Sequence, residues 1–339
     1  MRGSLKYILI LALICVAFGV IEPYTLEYPD YFPKPAYNLS KEPLTDAKIE
    51  LGRTLFYDPM LSDNNSISCA SCHSPFNAFA HTDHDLSHGI HDSIGFRNAP
   101  PLFNLAWQKS FMWDGAINHL DVQSLAPISS PTEMGSSISD VIDKLTTHNR
   151  YPELFENAFG LEGVTGQNIL LSLAQFQVTL VSANSKYDQV QAGTYEFNGQ
   201  EVRGYALFKS NCASCHQEPL FTNLGFERNG LAVDTTLNDF GKLRVSGKSE
   251  DSLLFKVPSL RNLKYTSPYM HDGRFKKLRH VLAHYSSEEA GNSLESSISL
   301  TSNERTDVIA FLITLNDSSF VFNKKHQIPF DFFNPSNDN

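Results

Sequence analysis

Three stretches of the chain place apolar residues at helical spacing behind a recognisable start signal. Thr165 opens a run in which Ile169, Leu173, Phe176 and Leu180 fall on one stripe, the spacing of an amphipathic helix. Asn198 and Glu201 stand at capping-box distance ahead of a helix that carries Leu207 and Phe208. Thr301 and Glu304 open a third helix, with Val308, Phe311, Leu312 and Leu315 apolar. Pro- and Gly-rich loops fill the intervals, and no sustained strand alternation appears, so the predicted fold class is mostly α. The polar stretch from Ala183 to Gly199 follows the long helix. It predicts a division into an N-terminal domain over residues 20–185 and a C-terminal domain over 186–339.

The first residues follow another pattern. Arg2 and Lys6 precede an apolar run from Tyr7 to Phe18, and Ala17 and Gly19 have the small-residue spacing that a signal peptidase accepts. The run is short and poorly flanked for a transmembrane helix. Ile14 is bulky where a lipid-anchor motif at Cys15 wants a small residue. A signal peptide over residues 1–19 and export to the periplasm are therefore expected, and cleavage there removes Cys15. With 41% hydrophobic and 19% charged residues the chain of 339 is globular in composition. A net charge of −10 with no basic tract argues against a nucleic-acid partner.

The order of landmarks is the same in both halves. Gly52-Arg-Thr-Leu-Phe56 is matched by Gly204-Tyr-Ala-Leu-Phe208. Pro101-Leu102-Phe103-Asn104 is matched by Ser259-Leu260-Arg261-Asn262. Met112-Trp113-Asp114-Gly115 is matched by Met270-His271-Asp272-Gly273, with Leu120 and Leu278 each five residues further on. The chain reads as two copies of one unit arising from an internal duplication.

The remaining four cysteines lie in two identical CASCH pentapeptides: Cys69, Cys72 and His73, then Cys212, Cys215 and His216. Cys-x-x-Cys alone is compatible with a disulfide, a redox pair or zinc. A histidine directly after the second cysteine is what covalent haem c attachment needs. Two thiols add to the vinyl groups of one haem edge, which delivers the adjacent imidazole to the iron. Two covalently bound haem c groups are expected, with His73 and His216 as iron ligands, and the two copies read as two cytochrome c-like domains arising from an internal duplication.

The repeat also separates the two sites. Fourteen residues beyond Trp113 stands Pro127; fourteen beyond its counterpart His271 stands Tyr285. Proline offers iron no ligand and tyrosine does, so the first haem is expected to be open and the second closed. Met270 and His284 are competing ligands, and a core aromatic is the plain alternative for Tyr285.

With LGRTLFYDPMLSDNNSISCASCH, RNAPPLFN, MWDG, SPTEM, the second CASCH, VPSLRN and SPYMHDGRF in fixed order, the chain resembles the bacterial diheme cytochrome c peroxidases and the related MauG-like diheme enzymes. The resemblance runs from about Leu44 to Leu315. It implies that hydrogen peroxide is reduced at the N-terminal haem. Electrons would come from a small donor, a cytochrome c or cupredoxin, through the C-terminal haem. By position it implies Trp113 as conduit between the haems, Glu133 as acid/base with Gln123 beside it, and Asn98, Thr266 and Pro268 around one calcium ion. A homodimer is usual in such families, though the sequence carries no interface signature. A MauG-like oxidation of a protein substrate, and a diheme carrier without enzyme activity, are the alternatives.

Three positions depart from the family pattern. Ile90 stands where many members have a histidine that ligates the resting peroxidatic iron, although His88 and His91 flank it. Tyr285 replaces the methionine of the peroxidases and matches the MauG-like branch. Ser210 stands where that branch has a surface tryptophan. Histidines 81, 84, 88 and 91 lie with Asp83, Asp85 and Asp92 in one loop, read as a solvated loop rather than a further metal site.

Overall fold

The computed structural model describes residues 23–287 and 298–334; the signal segment read over residues 1–19 lies outside them. The longer helices are α1 (Asp46–Tyr57), α2 (Ile138–Thr147), α3 (Tyr151–Phe159), α4 (Gly166–Val178), α5 (Gly199–Asn211), α6 (Leu278–Tyr285) and α7 (Ser302–Ile313). Among the described residues the single sheet pairs β1 (Phe226–Glu227) with β2 (Phe255–Lys256), antiparallel, Phe226 opposite Lys256. No helix of the described chain is long and apolar enough to cross a membrane.

The predicted starts form as caps. Thr165 accepts the Asn168 amide at 3.1 Å. Asn198 and Glu201 exchange their bonds reciprocally, as do Thr301 and Glu304. Helix α4 differs from its predicted single stripe, because Asn168 through Val178 are all buried. Two of its polar side chains are satisfied inside: Gln175 binds the Pro43 carbonyl and the Thr45 amide, and Ser172 bonds back to Asn168.

The duplication is visible in atomic detail. Helix α1 crosses α4, and α5 crosses α7. At each crossing a glycine lets the backbones touch. A Cβ on Gly52 would lie 1.9 Å from the Ser172 carbonyl oxygen, and one on Gly204 would lie 1.9 Å from that of Asp307. Asn104 and Asn262 both take left-handed conformations and both anchor to the chain after the second helix, through the Leu180 and Leu315 carbonyls. The Met-x-Asp-Gly turns match as well, with Met112 at φ 68° and Met270 at φ 77°.

Two apolar cores result, one around Phe56, Phe79 and Phe176 and another around Phe208, Phe221 and Phe311. The expected C-terminal domain, 186–339, gives up its tail. Phe320 and Val321 are buried in the N-terminal core, with Phe332 and Phe333 against it. Tyr57 donates to the His326 carbonyl at 2.5 Å, and Arg53 to that of Gln327 at 2.9 Å. The N-terminal arm crosses the other way: Tyr31 donates to Asp188 at 2.6 Å. These crossed segments strap the two units together.

Candidate functional site

Each CASCH segment is a single helical turn that turns its imidazole inward. His73 N–H bonds to the Cys69 carbonyl and His216 N–H to that of Cys212, both at 2.9 Å. Each histidine engages a carbonyl through Nδ1, Phe79 at 2.9 Å and Phe221 at 3.1 Å. A carbonyl only accepts, so Nδ1 carries the proton and Nε2 presents its lone pair. Burial pulls both imidazoles down to about 4, which keeps them neutral. The four thiols form no disulfide. Burial pushes Cys69 and Cys212 up to about 12, a measure of how apolar both sites are. Paired thiols, an oriented neutral imidazole and apolar walls fit a covalently held haem in each half.

Above the first pair lies a cavity of about 300 Å³ whose walls include His73, Trp113, Gln123, Pro127 and Glu133. Pro127 lies in a short helix (Leu125–Ser129) and Glu133 in the turn after it, where Met134 N–H bonds to the Pro127 carbonyl and Glu133 N–H to that of Ser130. Burial raises the Glu133 carboxyl. Gln123 turns its amide to the Met112 sulfur at 3.7 Å.

Among the described residues His73 is the only histidine lining this cavity. Ile90 is buried, its N–H bonded to the Glu133 carbonyl, and its methyl fills the space beside Gly135. His88 turns away, stacked on His84 at 4.0 Å and 3.3 Å from Asp92. His91 is exposed. The histidine loop forms a stack rather than a chelate. No group of three His, Cys, Asp or Glu among the described residues suits a metal ion.

In the second half Tyr285 ends α6. Burial and the neighbouring Cys212 and Cys215 sulfurs raise its phenol far above the ordinary range, which places the ring beside the second CASCH. His284 points elsewhere, binding the Asn229 carbonyl at 2.8 Å.

Between the halves Trp113 is held from both sides. Its indole donates to the Asn98 carbonyl at 2.8 Å, and its own carbonyl accepts the Lys256 N–H at 2.8 Å. Asn98 N–H reaches the His271 carbonyl at 2.7 Å. Arg97 ties Asp114 of the first half to Asp239 of the second, each at 2.6 Å. Burial pushes Asp239 up, but the guanidinium outweighs it and the net shift is downward. Asn98 gives its side-chain nitrogen to the Asp85 carbonyl at 3.0 Å. Thr266 is buried nearby in the sequence of Pro268.

Sequence reasoning missed Lys256 and Asp239, which belong to no quoted motif, and it gave no role to Arg97, which opens RNAPPLFN. Their significance arises only where the two units meet.

Two cytochrome c units, each with its own Cys-x-x-Cys-His site and joined across a buried tryptophan, define a diheme c-type cytochrome. The chain belongs to the di-haem cytochrome c peroxidase family, in which the MauG proteins are also found. The family model for di-haem cytochrome c peroxidase matches residues 46–196, and one for cytochrome c matches residues 201–316. The methylamine utilization protein MauG of Methylorubrum extorquens is 38% identical over 303 residues, covering 85% of this chain and 82% of that protein. The cytochrome c551 peroxidase of Nitrosomonas europaea is 33% identical over 276 residues, covering 78% of this chain and 79% of the relative. The crystal structure of a MauG-like protein associated with microbial copper homeostasis superimposes with a TM-score of 0.83 at 29% identity, covering 91% of this chain and 99% of that one.

Proposed function

We propose that this protein is a periplasmic peroxidase that reduces hydrogen peroxide to two waters. Two electrons come from a small donor protein, a cytochrome c or cupredoxin, and two protons from solvent. Cys69 and Cys72 would hold one haem c and Cys212 and Cys215 the other, with His73 and His216 as the iron ligands. A haem held at His73 would supply the redox centre for peroxide reduction. The observation that carries the reading is Glu133 in the cavity beside Pro127. A carboxyl with a raised proton affinity lines the same cavity as His73, and Pro127, at the position matched to Tyr285, has no ligating side chain. Glu133 accepts the proton of the inner oxygen and returns it to the outer one, so that water leaves. Gln123 orients the bound molecule from the same wall.

Trp113 occupies the electron path, and its two backbone anchors fix the ring between the sites. Asn98, Thr266 and Pro268 would coordinate calcium through an amide and main-chain oxygens, which steadies the same junction. The absence of any histidine other than His73 from the described cavity wall supports activity without prior reduction.

A second reading has its own support. Tyr285 beside the second CASCH matches the MauG-like branch and favours oxidation of a protein substrate at the surface. Mixing the fully oxidised protein with peroxide, with and without reduced cytochrome c, separates the two. Sustained oxidation of two donor molecules per peroxide supports the peroxidase. A single burst without turnover overturns it in favour of the second reading.

A further inference from the structure

Lys256 projects from β2 of the C-terminal half into the wall of the N-terminal cavity. Its ammonium donates to the Gln108 side-chain oxygen and to the Ser110 carbonyl, the latter at 3.3 Å. Both acceptors are neutral, and an ammonium has three donors. Among the described residues no carboxylate lies within 4.0 Å of it. Of the cavity's own acids, Asp114 is held by Arg97 and Glu133 makes no ion pair with this ammonium. A partly buried cation so placed is unfavourable unless an anion meets it. The same cavity wall carries a second unpaired group, the Gln177 side-chain oxygen, which is buried with no partner while its nitrogen reaches Ser124 at 3.2 Å. Turning that amide over lets it accept from the Ser124 hydroxyl and donate into the cavity. Two wall groups, one cationic and one a latent donor, therefore await acceptor oxygens.

We propose that Lys256 is the charge partner of a propionate of the haem held at Cys69 and Cys72, so that the C-terminal domain completes the N-terminal haem site. The inference rests on the haem assignment above. It adds that a cation from the other domain tunes that haem alone. Burial pulls the ammonium down to about 7, and a negative partner in the cavity would favour its charged form. Lys256 also donates its backbone N–H to Trp113, so one residue of β2 fixes the conduit and reaches the propionate.

The test is a spectroelectrochemical titration of both haems in the holoprotein and in Lys256→Met, with resonance Raman of the propionate bending mode. Loss of the charge is expected to lower the midpoint potential of the N-terminal haem and shift the bending mode. The C-terminal haem should stay unchanged, and Lys256→Arg should restore both signals. A structural lysine would alter melting temperature without moving either signal. Two intact haems with unmoved signals in Lys256→Met overturn this proposal only. One haem in the wild type overturns the assignment beneath it. Should Lys256→Met fail to fold, Lys256→Gln, which keeps a donor and drops the charge, is read the same way.

Discussion

Fourteen residues beyond the Met-x-Asp-Gly turn the N-terminal half has Pro127 and the C-terminal half has Tyr285, although the frames around them repeat down to a glycine at each helix crossing. The frames diverge again ahead of the cysteines. From Phe208 to Cys212 the chain advances 4 residues, and α5 runs straight into the motif. From Phe56 to Cys69 it advances 13. The added loop bonds to the distal loop, Asp63 N–H to the Met134 carbonyl at 2.9 Å. One half thus keeps the simple unit and buries a phenol near its cysteines. The other carries an insertion bonded to the residues beside Glu133, a carboxyl in the cavity wall. The two repeated frames differ at these few positions near their cysteines.

The largest effect should come from removing the feature that only the first half has. Glu133→Gln keeps the shape of the side chain and removes its proton chemistry. Peroxide turnover should fall by about 10²–10⁴-fold while the haem content and the spectrum of the C-terminal haem stay as they are. Unchanged turnover in a variant with both haems bound would remove Glu133 from the reaction.

At another matched position the second half departs toward charge. Phe103 in the first half corresponds to Arg261 in the second, which is fully buried and forks onto Asp188 with both contacts at 2.8 Å. Asp188 also accepts from Tyr31 of the N-terminal arm, so one buried ion pair secures the strap. Asp188→Ala leaves the guanidinium unpaired and should cost about 3–5 kcal/mol, measurable as a drop in denaturant midpoint. Burial raises the Asp188 carboxyl, but Arg261 outweighs it and the net shift is downward; Asp239 behaves in the same way beside Arg97. A depressed folded value means that both contributions are complete above the ordinary carboxylate range. They are lost as pH falls through the folded values, so acid should loosen the junction. Asp239→Asn should flatten that part of the pH–stability curve; a curve as steep as the wild type's would exclude the Arg97–Asp239 pair as its source.

How much of this was legible in the chain follows from the range of each interaction. CASCH and the capping boxes are local, and their meaning survives without the fold. The Pro127–Tyr285 contrast is long-range in space yet readable, because the duplication provides an internal ruler. Lys256, Asp239 and the tail from Phe320 to Phe333 had no such ruler. Lys256 reads as one more surface lysine until β2 brings it to the other domain's cavity. The tail's aromatic residues have no helical stripe, and only the N-terminal core shows where they pack. The buried polar side chains of α4 were hidden for a similar reason, since their partners Pro43, Thr45 and Ser124 are far away in sequence.

Exchanging the closing residue tests the contrast from the second half. Tyr285→Met places a thioether where the phenol stood, and a methionine ligand raises the potential of a c-type haem. The C-terminal haem should therefore become easier to reduce and show methionine ligation in its near-infrared spectrum, with the N-terminal haem unmoved. An unshifted C-terminal potential would mean that Tyr285 does not ligate, and that the ring is a core aromatic beside the sulfurs.

The smallest effect should come from the insertion itself. Lys144 of α2 points its ammonium into four oxygens: the carbonyls of Met60, Ser62 and Asp63 at 3.2, 2.7 and 3.0 Å, and the Asn65 side chain at 2.9 Å. The loop is closed around this cation, and through Asp63 it reaches the strand of residues that carries Glu133. Lys144→Met keeps the aliphatic stem and leaves those oxygens to water, which their partial exposure allows. A cost of about 1.5 kcal/mol is expected, the low end for hydrogen bonds to a charged group. Peroxide turnover should fall severalfold, because a freer loop no longer fixes the carboxyl over the open position, while the C-terminal haem keeps its potential. Since the second half has no insertion, any change at its haem in this variant would mean that the two halves are coupled through more than Trp113 and the residues that hold it.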